Sequence, residues 1–178
     1  YAAAEPMLNP TLSALYQRVI LEHSATPHGL GPLPAATHSA ALHNALCGDQ
    51  ITLRLQVVTT APEESPTIAA AGFEGESCAL CRASASLLCK LVPGRTLQAA
   101  LTLSRELQNF LRPRRATAPG QTSPETSPET PQAIDDAAQA DRLGDLSALV
   151  GVRDFPSRQR CATLPWEALG QALSTPAR

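Results

Sequence analysis

The sequence predicts an α+β domain in which a small antiparallel sheet of about three strands packs against helices. Three observations predict it. A stretch with helical periodicity opens the chain, three strand-like stretches follow in succession, and from Ala79 the apolar period returns to that of a helix.

Asn9-Pro10 reads as an N-cap followed by proline at the first helical position. Leu12, Leu15, Tyr16, Val19 and Ile20 then recur at helical spacing, so an amphipathic helix is expected over 10–23. "ATPHGLGPLPA" ends it and forms a loop. Strands are expected at about 38–46, 50–59 and 67–75. The middle one is clearest, because Ile51, Leu53, Leu55 and Val57 alternate with Thr52, Arg54 and Gln56; "APEESP" is the turn after it. Leu80, Ala83, Ser84, Leu87, Leu88 and Leu91 form one stripe of the next helix, which Pro93-Gly94 stops. Another helix is expected over about 96–111.

Residues 112–140 differ in kind. "RPRRATAPGQTSPETSPETPQA" carries a tandem SPET repeat and almost nothing apolar, so this insertion is expected to be flexible. Order should resume near Leu143 with a short helix, and "SRQRCATLPWEALGQAL" should be largely helical. The expected unit is a single domain over 7–178, with Met7 as the natural start and residues 1–6 as a remnant before it.

Several function classes lose support from composition. Fourteen basic and 16 acidic residues give a net charge of −2, which offers no electrostatic reason to expect nucleic acid or an anionic membrane as partner. No apolar run approaches the roughly 20 residues of a membrane-spanning helix. The opening "YAAAEPM" lacks the basic and apolar regions of a secretory signal. With five cysteines and no such signal, reduced thiols in a cytoplasm are expected rather than a disulfide framework. Aromatic residues are few, so the core must be built from Leu, Val, Ile and Ala.

The cysteines carry the chemistry. Cys47, in "HNALCGDQITLRL", lies two residues before Asp49 at the mouth of a strand, and Gly48 between them has no side chain to obstruct an approach. Cys78 lies at a helix N-terminus, roughly 150° from the centre of the apolar stripe, where unpaired N–H groups favour a thiolate. Cys161 follows Arg158 and Arg160, which favour the same anion. Three thiols plus Asp49 make four donors, the number a tetrahedral zinc site requires. Against this stands the plain reading of a free cysteine as a small buried hydrophobe. Cys89 illustrates it: it shares the helix face of Cys78 but lies about 16 Å along the axis, too far to bind the same ion. Cys81 completes a C-x-x-C with Cys78, readable as a redox pair or as two ligands, although the βαβ context of a thioredoxin-like motif is missing. His23, His28, His38 and His43 form no metal-binding or catalytic pattern, and no phosphate-cradling loop or G-x-S-x-G elbow is present.

The stretches "LYQRVILEHSATPHGLG", "CGDQITLRL", "GFEGESCALCRASASLL" and "FPSRQRCATLPWEAL" resemble the U-type iron–sulfur cluster assembly proteins, the IscU/NifU N-terminal-like family, and within them the SufU branch. The resemblance covers most of 12–111 and 141–171, and it implies a SufE/NifU-like α+β scaffold around an exposed metal held by Cys47, Asp49, Cys78 and Cys161. Arg160 stands where Isc-type relatives normally carry a histidine, which, with the long insertion, points to the SufU side. Departures are Ala45 for the usual proline, Ser77 for the usual glycine, and Cys81 for a serine-like residue.

The resemblance implies a zinc-dependent, sulfurtransferase-like carrier. Its partners would be a SufS-type, pyridoxal-phosphate-dependent cysteine desulfurase and downstream cluster-assembly proteins. Cys47 would accept persulfide sulfur, and Arg160, with Arg158, would stabilise its charge. Two alternatives stand beside it: a scaffold that assembles a [2Fe–2S] cluster, or holds iron, on the same ligands, and a non-catalytic module that zinc only stabilises.

Overall fold

The structure is a computed structural model and describes residues 10–113 and 131–174. Its element order is α1 (Pro10–Ala25), β1 (His38–Asn44), β2 (Asp49–Val58), β3 (Thr67–Glu74), α2 (Ala79–Leu91), α3 (Leu97–Phe110), α4 (Pro131–Leu143), a 3-10 segment (Gly144–Asp154) and α5 (Pro156–Ser174). The strands form one antiparallel sheet in the order β1-β2-β3. This is the predicted α+β class, with strand limits within two residues of those read from the sequence.

Alternation along β2 puts Asp49, Ile51, Leu53 and Leu55 on the buried face. Three of these are core aliphatics, whereas Asp49 carries a carboxylate to the margin of the same core. α2 and α5 pack on that face, and α1 packs on α2. At the outer edge of β3 the loop after α1 adds a short parallel bridge: Phe73 N–H donates to the Gly29 carbonyl at 2.8 Å, and Gly31 N–H to the Phe73 carbonyl at 2.9 Å. That bridge covers part of an otherwise open strand edge.

The stripe expected on α2 understates its burial. Every residue from Ala83 to Cys89 is buried, because the sheet, α1 and α5 surround the helix. Cys89 is therefore not on an exposed face. It packs under Gly29, where a side chain would approach Cys89 Cβ to 2.7 Å and where φ is +74°.

The region expected to be featureless over 112–140 requires a correction. Residues 131–143 are helical, and Arg153 grips Asp136 through both Nη atoms at 3.1 and 3.3 Å. The same guanidinium donates to the Phe110 carbonyl and lies 4.2 Å from the centre of that ring. Fixing α4 through one partly buried, bidentate arginine explains why a mostly polar helix docks. The SPET repeat, within 114–130, lies outside the described residues. No described helix is long and apolar enough to cross a membrane.

Candidate metal centre

The site begins at the β1–β2 hairpin. Asn44 and Asp49 are the last ladder pair, so Ala45 to Gly48 make the turn. The Asn44 carbonyl accepts from Cys47 N–H at 3.2 Å and Gly48 N–H at 2.8 Å, and its Oδ1 accepts from Leu46 N–H at 3.3 Å. Gly48 has φ +72°, a conformation that suits glycine and closes the turn. Leu46 stands 80% exposed at the tip and Cys47 beside it is half-buried.

A second element reaches Asp49 from β3. The chain after β3 crosses over the start of β2, with Gln50 N–H donating to the Glu76 carbonyl at 2.7 Å. Gly75 makes that crossing possible: its φ is +129°, and a Cβ there would lie 2.1 Å from the Gln50 carbonyl oxygen. The crossing delivers Cys78 to Asp49, whose Oδ1 accepts from Cys78 N–H at 2.7 Å. The Cys78 thiol donates to Oδ2 at 3.9 Å. Cys78 is the N-cap of α2, and its sulfur accepts from Cys81 N–H at 3.5 Å. The helix-terminus position read from the sequence is thus observed, with Asp49 rather than solvent as its neighbour.

α5 supplies the third thiol from its buried face. Ser84 on α2 donates to the Ala162 carbonyl at 2.5 Å and accepts from Trp166 Nε1 at 3.1 Å. Pro165 inside α5 has no N–H for the Cys161 carbonyl four residues back, which loosens the helix at the turn that carries the cysteine. Cys161 is 0% exposed. Its thiol donates to Cys47 Sγ at 3.0 Å, and it accepts from Asn44 Nδ2 at 3.6 Å.

One donor atom each from Cys47, Asp49 and Cys161 lies within 4.8 Å of the others. Cys78 borders this group through Asp49. Two sulfurs and a carboxylate with a third sulfur beside them are a donor set suited to zinc or iron. Burial, together with hydrogen bonds to Cys47 and Asp49, pushes the Cys161 thiol well above its ordinary range. A buried thiolate beside a carboxylate is costly unless a cation compensates it, and a metal ion is such a cation. This also corrects the expectation that nearby arginines would favour the Cys161 anion, since burial outweighs them.

The two arginines have different neighbours. Arg160 Nε lies 3.6 Å from Glu167 Oε2, whereas Arg158 Nη1 donates to Cys47 Sγ at 3.8 Å. Arg158 lies three residues before Cys161 and Arg160 only one, so the helix turns them to different sides. Cys81 is buried; desolvation, with Asp49 and Cys78 close by, pushes its thiol upward. Burial alone pushes Cys89 up to about 12, in keeping with a packing role. The sequence reading did not single out Asn44, Gly75 or Ser84. For Asn44 and Gly75 a local signal existed, because asparagine before a turn and glycine at a strand end are both turn chemistry. The apolar stripe of α2 includes Ser84, but no local signal identifies its partners on α5.

Residues 15–162 match the family described as NifU-like N terminal domain. The chain belongs to that family. A NifU-like relative, the zinc-dependent sulfurtransferase SufU of Bacillus subtilis, is 30% identical, over 93% of this chain and 94% of its own. The iron–sulfur cluster assembly scaffold protein IscU of Streptococcus pyogenes is 31% identical, over 91% of this chain and 84% of its own. A crystal structure of a hypothetical protein superposes with a TM-score of 0.66 at 29% identity, covering 92% of this chain and 99% of that one. These likenesses leave the NifU-like fold firm and two different relatives nearly equal in distance.

Proposed function

We propose that this NifU-like chain is a zinc-bound sulfur acceptor in iron–sulfur cluster assembly, with Cys47, Asp49, Cys78 and Cys161 as ligands. It would take persulfide sulfur from a pyridoxal-phosphate-dependent cysteine desulfurase and pass it on. One observation carries this reading: of the thiols gathered near Asp49, Cys47 is the one that sits on a turn, and it is half-exposed with the Arg158 guanidinium 3.8 Å from its sulfur. Zinc supplies the positive charge that keeps clustered sulfurs deprotonated near neutral pH.

The remaining steps belong to the chain. Cys47, as thiolate, attacks the outer sulfur of the donor's persulfide. The S–S bond to the donor cysteine breaks, a new S–S bond to Cys47 forms, and the donor cysteine leaves as a thiolate. Arg158 faces Cys47 Sγ and stabilises the negative charge before and after transfer. Asp49 holds the Cys78 backbone with one oxygen and faces the Cys78 thiol with the other, so α2 stays in register with β2. Leu46, on the same turn, and Phe155, two residues before the Ser157 carbonyl that accepts from Cys47, are exposed apolar side chains.

A second reading, a scaffold that assembles a [2Fe–2S] cluster on these donors, has the support of the scaffold-named relatives. Metal content and spectra of protein purified without oxygen separate the two. For the acceptor reading the expected result is bound zinc and faster turnover of a partner desulfurase, with Cys47→Ala losing that stimulation entirely. Persulfide accumulation at the normal rate in Cys47→Ala would remove Cys47 from the role.

A further inference from the structure

We infer that Cys78 and Cys81 form a dithiol that hydrogen peroxide closes into a disulfide, and that closure withdraws Cys78 from the donor cluster. The closure stands on the geometry of α2 itself; only its effect on a bound metal rests on the zinc reading above. Cys78 is the N-cap of α2, with extended dihedrals of φ −64° and ψ 163°. The capping bond holds its Sγ 3.5 Å from the Cys81 backbone nitrogen, from which the Cys81 sulfur is reached through Cα and Cβ. Residues three apart around a helix turn are neighbours, with Cβ atoms about 5–6 Å apart, and a disulfide needs about 3.5–4.5 Å. The adjustment falls on Cys78, whose own N–H lies outside the helical ladder and is bonded to Asp49 instead.

Exposure sets the order of events. Cys78 is half-buried and Cys81 is fully enclosed, so peroxide meets Cys78 first. The Cys78 thiol takes one peroxide oxygen and becomes a sulfenic acid, and water leaves. The Cys81 sulfur then attacks the Cys78 sulfur and displaces its hydroxyl, which departs as water with the Cys81 proton. The pair of thiols is oxidised and the peroxide is reduced wholly to water. Closing the bond draws Cys78 towards its own helix and away from Asp49, whose carboxylate accepts from its N–H at 2.7 Å and from its thiol at 3.9 Å. The group of Cys47, Asp49 and Cys161 thereby loses the sulfur that borders it. Cys47 and Cys161, with sulfurs 3.0 Å apart, are the other neighbouring pair, and a link between them would join the β1–β2 hairpin to α5 instead.

The test treats the full-length, metal-free chain with hydrogen peroxide and maps its cysteines after trypsin. Cleavage at Arg54 and Arg82 leaves Cys78 and Cys81 together in the peptide 55–82 and puts the other cysteines in different peptides. Peptide 55–82 should be short of two hydrogens and closed to iodoacetamide, and dithiothreitol should reverse both changes. Cys81→Ser, and Cys81→Ala as a second variant, should lose this internal link entirely and show Cys78 as a sulfenic acid that dimedone labels. Zinc uptake after peroxide and then dithiothreitol should return in the unaltered chain. It should stay low in Cys81→Ser, whose unresolved sulfenic acid goes on to a sulfinic acid that dithiothreitol does not reduce. A peptide 55–82 with both thiols still open to iodoacetamide, or with Cys78 joined to Cys47 or Cys161, overturns the inference. So does equal zinc recovery in two chains that both take up zinc at the outset. An unaltered chain that closes the link yet takes up no zinc at any stage would overturn the zinc reading and leave the dithiol standing.

Discussion

α2 and α5 each bring a cysteine to the same carboxylate neighbourhood by opposite means. α2 offers Cys78 at its first, unfinished turn, where the backbone itself provides the interaction: the sulfur caps the helix and the N–H meets Asp49. α5 offers Cys161 from a completed helix, buried, with its position set by a chain of contacts on the opposite side from the donor cluster's hairpin residues, through α2 and α3. That chain runs from Ser104 to the Trp166 carbonyl at 3.4 Å, from Trp166 Nε1 to Ser84 at 3.1 Å, and from Ser84 to the Ala162 carbonyl at 2.5 Å. A thiol at a helix end is placed by local geometry. A thiol in a helix interior is only as well placed as the helix is seated.

The sharpest way to break this contrast is Trp166→Ala. Trp166 is the largest fully buried side chain, and its loss should cost roughly 3–5 kcal/mol in urea denaturation. Because α5 carries Cys161, the same variant should also bind added zinc far less well than the unaltered chain, and retention of both stability and metal binding would mean that α5 is seated by something else. Ser84→Ala is milder, with a loss of about 1–3 kcal/mol expected because it strips the buried Trp166 N–H of its acceptor.

A third prediction concerns the other side of α2. His23 on α1 is buried against Ser86, its Nδ1 2.7 Å from the hydroxyl, and burial followed by the charge of Lys90 holds its pKa below the ordinary 6.5. His28, Asp145 and Glu22 also face it, the first reinforcing the depression and the other two opposing it. The unfolded chain therefore binds the extra proton at higher pH than the folded one. The contribution of neutral His23 is complete above the unfolded value and is lost as pH falls through the folded one. Urea midpoints at about pH 7.5 and 5.5 should differ less in His23→Gln than in the unaltered chain. Equal differences would show that the acid sensitivity lies elsewhere.

The smallest effect should be the most specific. Arg158→Ala should slow iodoacetamide modification of Cys47 in metal-free protein about two- to fivefold, the scale of an exposed charge contact, with no change in stability. Arg160→Ala should leave the rate unchanged, since its guanidinium faces Glu167. The opposite ranking would restore Arg160 as the partner of the thiol.

The three strands, the helices other than α4 and the α+β class were legible because each depends on a short-range period, alternation along β2 above all. So was the nature of the donors, since a thiol and a carboxylate keep their chemistry wherever the chain puts them, and the Cys78 position, which a helix terminus dictates locally. Only the tertiary structure decided which arginine faces Cys47. Arg158 and Arg160 lie on different sides of α5: Arg160 meets Glu167 two turns on along the same helix, whereas the packing of α5 against the β1–β2 hairpin brings Arg158 to the Cys47 thiol. The tertiary structure likewise decided that Cys89 is covered, by a loop some 60 residues before it, and that 131–143 is helical, through an arginine that follows it. It also made Asn44 part of the site, because its amide meets a sulfur 117 positions away. Periodicity determines which face a residue takes on its own element, whereas the partner across the interface comes from elements distant in sequence, and short-range patterns carry no record of them.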